Sequence, residues 1–119
     1  MSTENNREAI LALKLNLKVE PVQVGDLKIC VKTLTGRERD AFENSCFKGK
    51  GKTRELSTEN IRAKLLVRSI CDSNGVRLFA DNETELLGDL PADALDTLFT
   101  VAQKLSGLGQ SDVEEIAGN

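Results

Sequence analysis

Hydrophobic and polar residues alternate near the start of the chain. From position 11 to position 20, Leu and Val occupy the odd positions, and Ala, Lys, Asn and Glu occupy the even ones. A period of two is typical of a strand with one apolar face, so we favour a strand or an extended arm over residues 9–19. A helix stays open as the alternative, because Ile10, Leu13 and Leu17 also follow helical spacing.

Turn and capping signals divide the next stretch. Two β-prone runs flank Gly25-Asp26, which predicts a hairpin. Thr35 and Glu38 have the spacing of a capping box and predict a helix that runs to about Phe47. The glycines and lysines of residues 48–56 indicate a flexible basic loop, and their spacing is not that of a phosphate-binding P-loop.

An apolar stretch follows this loop. It predicts a second helix that begins at Ser57 or Thr58, ends at Cys71 and is the most buried helix of the domain. Its basic residues are expected to mark its solvent-facing side: Arg62, Lys64 and Arg68. Asn74-Gly75 predicts a tight turn with a short β-bridge. We expect this turn to send the apolar residues after it back towards the core: Val76, Leu78 and Phe79.

The last third of the chain reads as helical. Residues 82–85 resemble a second capping box that opens a short helix to Gly88. Pro91 predicts the first turn of a long final helix, and Gly107 predicts the point at which that helix ends. The fold class predicted is therefore α+β, a mainly helical small domain of three to four helices with an N-terminal β-hairpin or small antiparallel sheet. We expect a mobile N-terminus (1–8), one globular domain (9–108) and a flexible acidic tail (109–119).

The amino-acid composition limits the metal-binding and catalytic chemistry open to this chain. The 119 residues include no His, Trp or Tyr and only three Cys, without a CxxC pair. A metal site or a catalytic triad is therefore not expected, and we predict a non-enzyme without a cofactor. No apolar run approaches the roughly 18 residues needed to cross a bilayer, and no signal-peptide pattern opens the chain, so we expect a cytoplasmic protein.

Charge is distributed unevenly along the chain. Residues 37–68 hold nine basic and five acidic residues, whereas residues 71–119 hold two basic and ten acidic residues. Such a division permits head-to-tail self-association, with the basic loop as the candidate contact. The self-association candidates are Lys48, Lys50 and Lys52. Two differently solvated faces are the alternative interpretation, and the net charge of −3 argues against general nucleic-acid binding.

The final helix carries an apolar stripe that is a candidate for contact with another chain in helix-in-groove fashion. The stripe consists of Leu95, Leu98, Phe99, Ala102 and Leu105. The alternative is that most of these side chains simply close the core, and we favour it for most of them.

The order of these motifs resembles the tail assembly chaperones of long non-contractile-tailed bacteriophages. The resemblance covers roughly residues 21–109 and lies in the order and spacing of four runs. They are LTGRER at 34–39, DSNGVRLF at 72–79, LLGDLP at 86–91 and LFTVAQKLSGL at 98–108.

The resemblance implies a binding function. Such chaperones hold the helical tape measure protein soluble until the tail tube polymerises around it. A longer form, made by ribosomal frameshifting, recruits tail tube protein through an extra domain, and this chain would be the short form. Homo-oligomerisation, a host-cytoplasmic location and absence from the mature virion are further expectations.

Two other functions compete with this one. The first is a minor structural tail or connector protein, which would remain in purified virions. The second is a small DNA-binding regulator that uses the basic loop and the helix after Ser57, although that helix is too apolar to lie exposed in a DNA groove.

Overall fold

A computed structural model describes residues 6–48, 55–57 and 59–107. Within these ranges the chain forms an α+β fold, as predicted, with five α-helices and two small antiparallel sheets. The helices are α1 (Arg7–Leu11), α2 (Gly36–Ser45), α3 (Ile61–Ser69), α4 (Thr84–Gly88) and α5 (Ala92–Leu105), and the strands are β1 (Val19–Val24), β2 (Leu27–Lys32), β3 (Phe47–Lys48), β4 (Glu55–Leu56) and β5 (Ile70–Cys71). Short 3₁₀ helices cover Ala12–Asn16 and Asp81–Glu83.

The N-terminal region is helical rather than extended. Asn6 caps α1 by accepting a hydrogen bond from the backbone N–H of Ala9 at 2.7 Å, and the 3₁₀ turns continue from α1. The strand favoured over residues 9–19 is therefore wrong except at its end, since β1 begins at Val19. The physical reason is the register: Val19 pairs with Lys32, the last residue of β2, so no strand is available to pair with residues further upstream.

The predicted hairpin is confirmed. Strands β1 and β2 pair around Gly25-Asp26, with Val24 opposite Leu27. A third strand, β5, adds to the other edge of β2 and places Cys71 opposite Cys30. The expected β-bridge after the next turn also forms, between Cys71 and Arg77.

Helix α2 begins as the capping box predicts. The backbone N–H of Glu38 donates to the Thr35 hydroxyl at 3.1 Å, and its carboxylate accepts from the backbone N–H of Thr35 at 2.9 Å. The helix ends at Ser45, two residues before the predicted end. Phe47 instead begins β3, which pairs with β4.

Helix α3 is the most buried helix, as predicted, and packs against α2, α4, α5 and β2. It is shorter than expected at both ends. Asn60, with a left-handed φ of 58°, precedes it, and its side chain lies against Gly88. At the other end, Ile70 turns extended to pair with Val31 of β2. The expectation that Arg68 faces solvent is wrong, because its side chain is buried between α3 and the following loop.

The final helices follow the predicted order. The capping box predicted at residues 82–85 is wrong, because the capping contact forms two residues earlier: the backbone N–H of Ala80 donates to the Glu83 carboxylate at 2.7 Å. The 3₁₀ turn there leads into α4, which ends at Gly88 as predicted. Pro91 immediately precedes α5, and Gly107, with a φ of 70°, follows its end. No helix within the described ranges has the length and apolarity needed to cross a membrane.

Candidate functional site

The apolar stripe of α5 faces inward. Leu98 and Ala102 are fully buried and Leu95 is 7% exposed, while Phe99 and Leu105 are half-buried against the same core. The structure brings these side chains together, but as a part of the core rather than as an exposed surface. The favoured interpretation, that most of these residues close the core, is confirmed for Leu95 and Leu98.

The basic loop lies mostly outside the described residues. Lys48 is the last residue of β3, and Lys50 and Lys52 fall outside the described ranges. The role of these lysines in self-association stays a prediction. Because α3 is a core helix, it is not available to enter a DNA groove as a recognition helix.

An apolar groove of about 540 Å³ lies in the described part of the chain. Strands β2 and β5 form one side of it, and the loop before α4 together with α4 and α5 forms the other. The lining side chains are almost entirely apolar or thiol: Leu27, Ile29, Cys30, Ile70, Cys71, Leu78, Phe79, Leu87, Leu90 and Leu98. Polar lining residues are Lys28, Asp72 and Ser73. We call this feature the apolar groove.

The loop between β5 and the following 3₁₀ helix leaves the groove open. The Asp72 carboxylate accepts backbone N–H bonds from Asn74 at 2.8 Å and Val76 at 3.0 Å, which closes the turn tightly. Val76 and Leu78 then stay 60% and 58% exposed, so the expectation that they return to the core is wrong for both. Phe79 is half-buried and packs against the core. Leu78 therefore stands as an exposed wall of the groove.

The Cys71 thiol in the groove is suited to packing, not to nucleophilic attack. Cys30 and Cys71 are directly opposed on neighbouring strands, so their side chains lie on the same face of the sheet. Burial raises the pKa of Cys71, and the neighbouring Cys30 raises it further. Both effects favour the neutral thiol, whereas the thiolate is the reactive form. No group of three potential metal ligands occurs within the described ranges.

Beside the groove, charged side chains tie the loop to the sheet and helices. Arg77 donates to Asp81 at 2.5 Å and lies 3.9 Å from Glu38, which is also paired with buried Lys32. Arg68 reaches the other oxygen of Asp81 at 3.7 Å. The hydrogen bond from Arg77 lowers the pKa of Asp81, although burial opposes it, so this carboxylate stays charged at neutral pH. The arrangement is one of paired charges and holds no free acid or base.

A second exposed apolar surface lies near the N-terminus. Residues 7–18, here named the N-terminal segment, bury no side chain in α1 or in the 3₁₀ turns after it. Ile10, Leu11, Leu13 and Leu15 are 58%, 51%, 60% and 79% exposed. The alternating pattern predicts a strand face for these leucines and does not mark them as a binding surface. The alternation of leucines with other residues is the sequence signal from which this exposed surface could have been found.

No known protein family, curated protein or solved structure matches this chain.

Proposed function

We propose that this chain is a phage tail assembly chaperone that binds an apolar helical stretch of the tape measure protein in its apolar groove. The observation that carries the proposal is an open groove with an apolar floor and exposed leucine walls. Helix-in-groove binding is a recurring use of such a surface. The motif order along residues 21–109 supports the same function independently of the groove.

The groove suits a side-chain row of a helix. Its volume of about 540 Å³ falls in the range of sites that enclose a ligand, about 300–1,000 Å³. The floor of the groove is formed by three buried side chains, Ile70, Leu87 and Leu98, which are 4%, 2% and 0% exposed. Leu78 and Leu90 keep 58% and 39% of their surface open, so they have area left to bury against a partner. Burial of apolar surface, with few polar groups to desolvate, is what drives such contacts.

The function follows from the physical problem that a tape measure protein poses. A long helix with an apolar stripe aggregates through that stripe in water. Many copies of a small domain, each covering a short length, would keep it soluble. Weak single contacts become effective when neighbouring copies also touch each other. In this scheme the protein acts in the host cytoplasm, a longer frameshifted form recruits tail tube protein, and neither form stays in the virion.

Co-expression with the tape measure protein of the same phage tests the proposal. We expect the wild type to move the tape measure protein into the soluble fraction. Leu78→Asp, at the groove wall, should abolish this rescue, because it places a charge against an apolar partner. The matched control is Leu86→Asp on α4, since Leu86 is 59% exposed but does not line the groove.

Three outcomes contradict the proposal: no rescue by the wild type, equal loss with both variants, or the protein as a stoichiometric component of purified virions. The last outcome would favour a structural connector instead.

A further inference from the structure

We propose that in the free protein the apolar groove of one copy is occupied by the N-terminal segment of a second copy. This inference concerns the protein without a client, and it stands whether or not the tape measure protein is the partner. In effect, each copy would cover the apolar surface of another until a client displaces the segment.

The N-terminal segment has the properties of a groove ligand. Its α-helix spans five residues and is followed by five residues of 3₁₀ helix, and helices this short are marginal without tertiary packing. Ile10, Leu13 and Leu17 have the i, i+3, i+7 spacing of groove-binding helices, and Leu15, on a neighbouring face, is 79% exposed. These apolar side chains are exposed to solvent, so they have surface left to bury against a partner.

The segment does not occupy the groove of its own chain. The backbone N–H of Lys18 donates to the Thr33 hydroxyl at 3.1 Å, and the N–H of Thr33 donates to the carbonyl of Lys18 at 2.9 Å. These bonds hold the segment at the Lys32 end of the hairpin, beside the turn at residues 74–77. None of residues 7–18 lines this groove, whose residues on β2 run from Leu27 to Cys30. A second copy supplies the segment without breaking this anchor.

Charge complementarity points to the same pairing. The N-terminal segment carries three basic residues and one acidic residue. The groove is lined by Asp72, and exposed Asp26 and Asp89 directly precede its lining residues Leu27 and Leu90, against one lysine, Lys28. An apolar centre within a charged rim of opposite sign is the usual anatomy of a protein interface.

The segment and the groove are different patches of the same chain, so the contact is heterologous. Each copy offers one of each, and the copies join either reciprocally in a dimer or in sequence along a chain. This arrangement permits a complementation test, in which one variant keeps only the groove and another keeps only the segment.

The segment variant is Leu13→Gln with Leu15→Gln, and the groove variant is Leu78→Gln with Leu90→Gln. Glutamine matches leucine in helix propensity, so α1 and its extension are not penalised. The control is Leu86→Gln, an exposed leucine outside the groove. Light scattering after size-exclusion chromatography gives the molar mass over a concentration series.

We expect the wild type and the control to self-associate, and each double variant to be monomeric, with the dissociation constant raised at least tenfold. An equimolar mixture of the two double variants should form a complex of two chains and nothing larger, because only one segment–groove contact is intact. A second readout is the alkylation rate of Cys30, a half-buried groove residue, which should slow as wild-type concentration rises.

A monomeric wild type at the highest concentration overturns the proposal. Unchanged mass in either double variant, or a mixture that fails to pair, does so as well. Circular dichroism of every variant confirms that the fold is kept, and the wild-type alkylation rate needs no variant at all. Loss of client rescue with the expected masses would refute the proposed function alone.

Discussion

Truncation of Leu98 tests whether α5 closes the core or serves as a binding surface. Leu98 is fully buried, and Leu→Ala changes at such positions cost about 2–5 kcal/mol of unfolding free energy. Leu98 also lines the floor of the apolar groove, so the space left by the missing carbons opens onto the groove instead of being sealed. We therefore expect Leu98→Ala to fall in the lower part of that range, about 2–3 kcal/mol.

Leu65 supplies the matched comparison. It is equally buried, but it lies in α3 and does not line the groove. The void left by Leu65→Ala is enclosed, so we expect about 3–5 kcal/mol for this variant. The difference between the two losses of unfolding free energy measures how much the open groove lowers the cost of the cavity.

Urea unfolding followed by far-ultraviolet circular dichroism is the assay, because the chain contains no Trp or Tyr to serve as a fluorescent reporter. For an m-value of about 2 kcal/mol/M, Leu98→Ala should lower the urea midpoint by about 1–1.5 M. An unchanged midpoint together with lost client binding would refute the reasoning, since it would mean that Leu98 faces the partner and not the core.

Three further predictions concern the charged cluster and one turn. Glu38→Gln should lose about 1.5–3 kcal/mol of unfolding free energy at neutral pH, measured in urea, because buried Lys32 loses its charged partner. Burial by itself raises the pKa of Glu38, but hydrogen bonds from Lys32 and from the backbone N–H of Thr35 outweigh it and hold this pKa below its ordinary value. The stabilisation from this charged pair is therefore present above the unfolded-state pKa of Glu38 and is lost as pH falls through its folded-state pKa. The melting temperatures of the wild type and of Glu38→Gln should then converge as the pH is lowered. A difference that stays constant with pH would contradict this prediction. Gly75→Ala should cost about 1–2 kcal/mol in the same melts, because φ is 83° and the new Cβ lies 3.3 Å from Val19, whereas Gly36→Ala, with neither feature, should not.

Local signals in the sequence predicted the local features well. The capping box at Thr35 and Glu38 begins α2, Gly25-Asp26 closes the hairpin, and Gly107 follows the end of α5. Each of these depends on hydrogen bonds and backbone angles within a few residues. The information needed is therefore contained in the same short stretch of sequence.

Predictions that depended on distant partners were less accurate. The alternating leucines before Val19 have the pattern of a strand, but β2 ends opposite Val19 and leaves them nothing to pair with. Ile70 and Cys71 continue the apolar pattern of α3, yet pairing with β2 takes them into a strand. A periodic pattern states which face is apolar, whereas the presence of a neighbouring strand decides the backbone conformation.

For this protein, the sequence alone determined the α+β class, the turns, the starts of α2 and α5 and the choice of α3 as the most buried helix. The tertiary structure decided which apolar residues became core and which stayed exposed. Leu98 and Leu78 are both leucines in apolar stretches, but one is fully buried and the other 58% exposed. That difference arises because burial depends on which elements pack together across the fold, and the groove exists only where β2, β5, α4 and α5 meet.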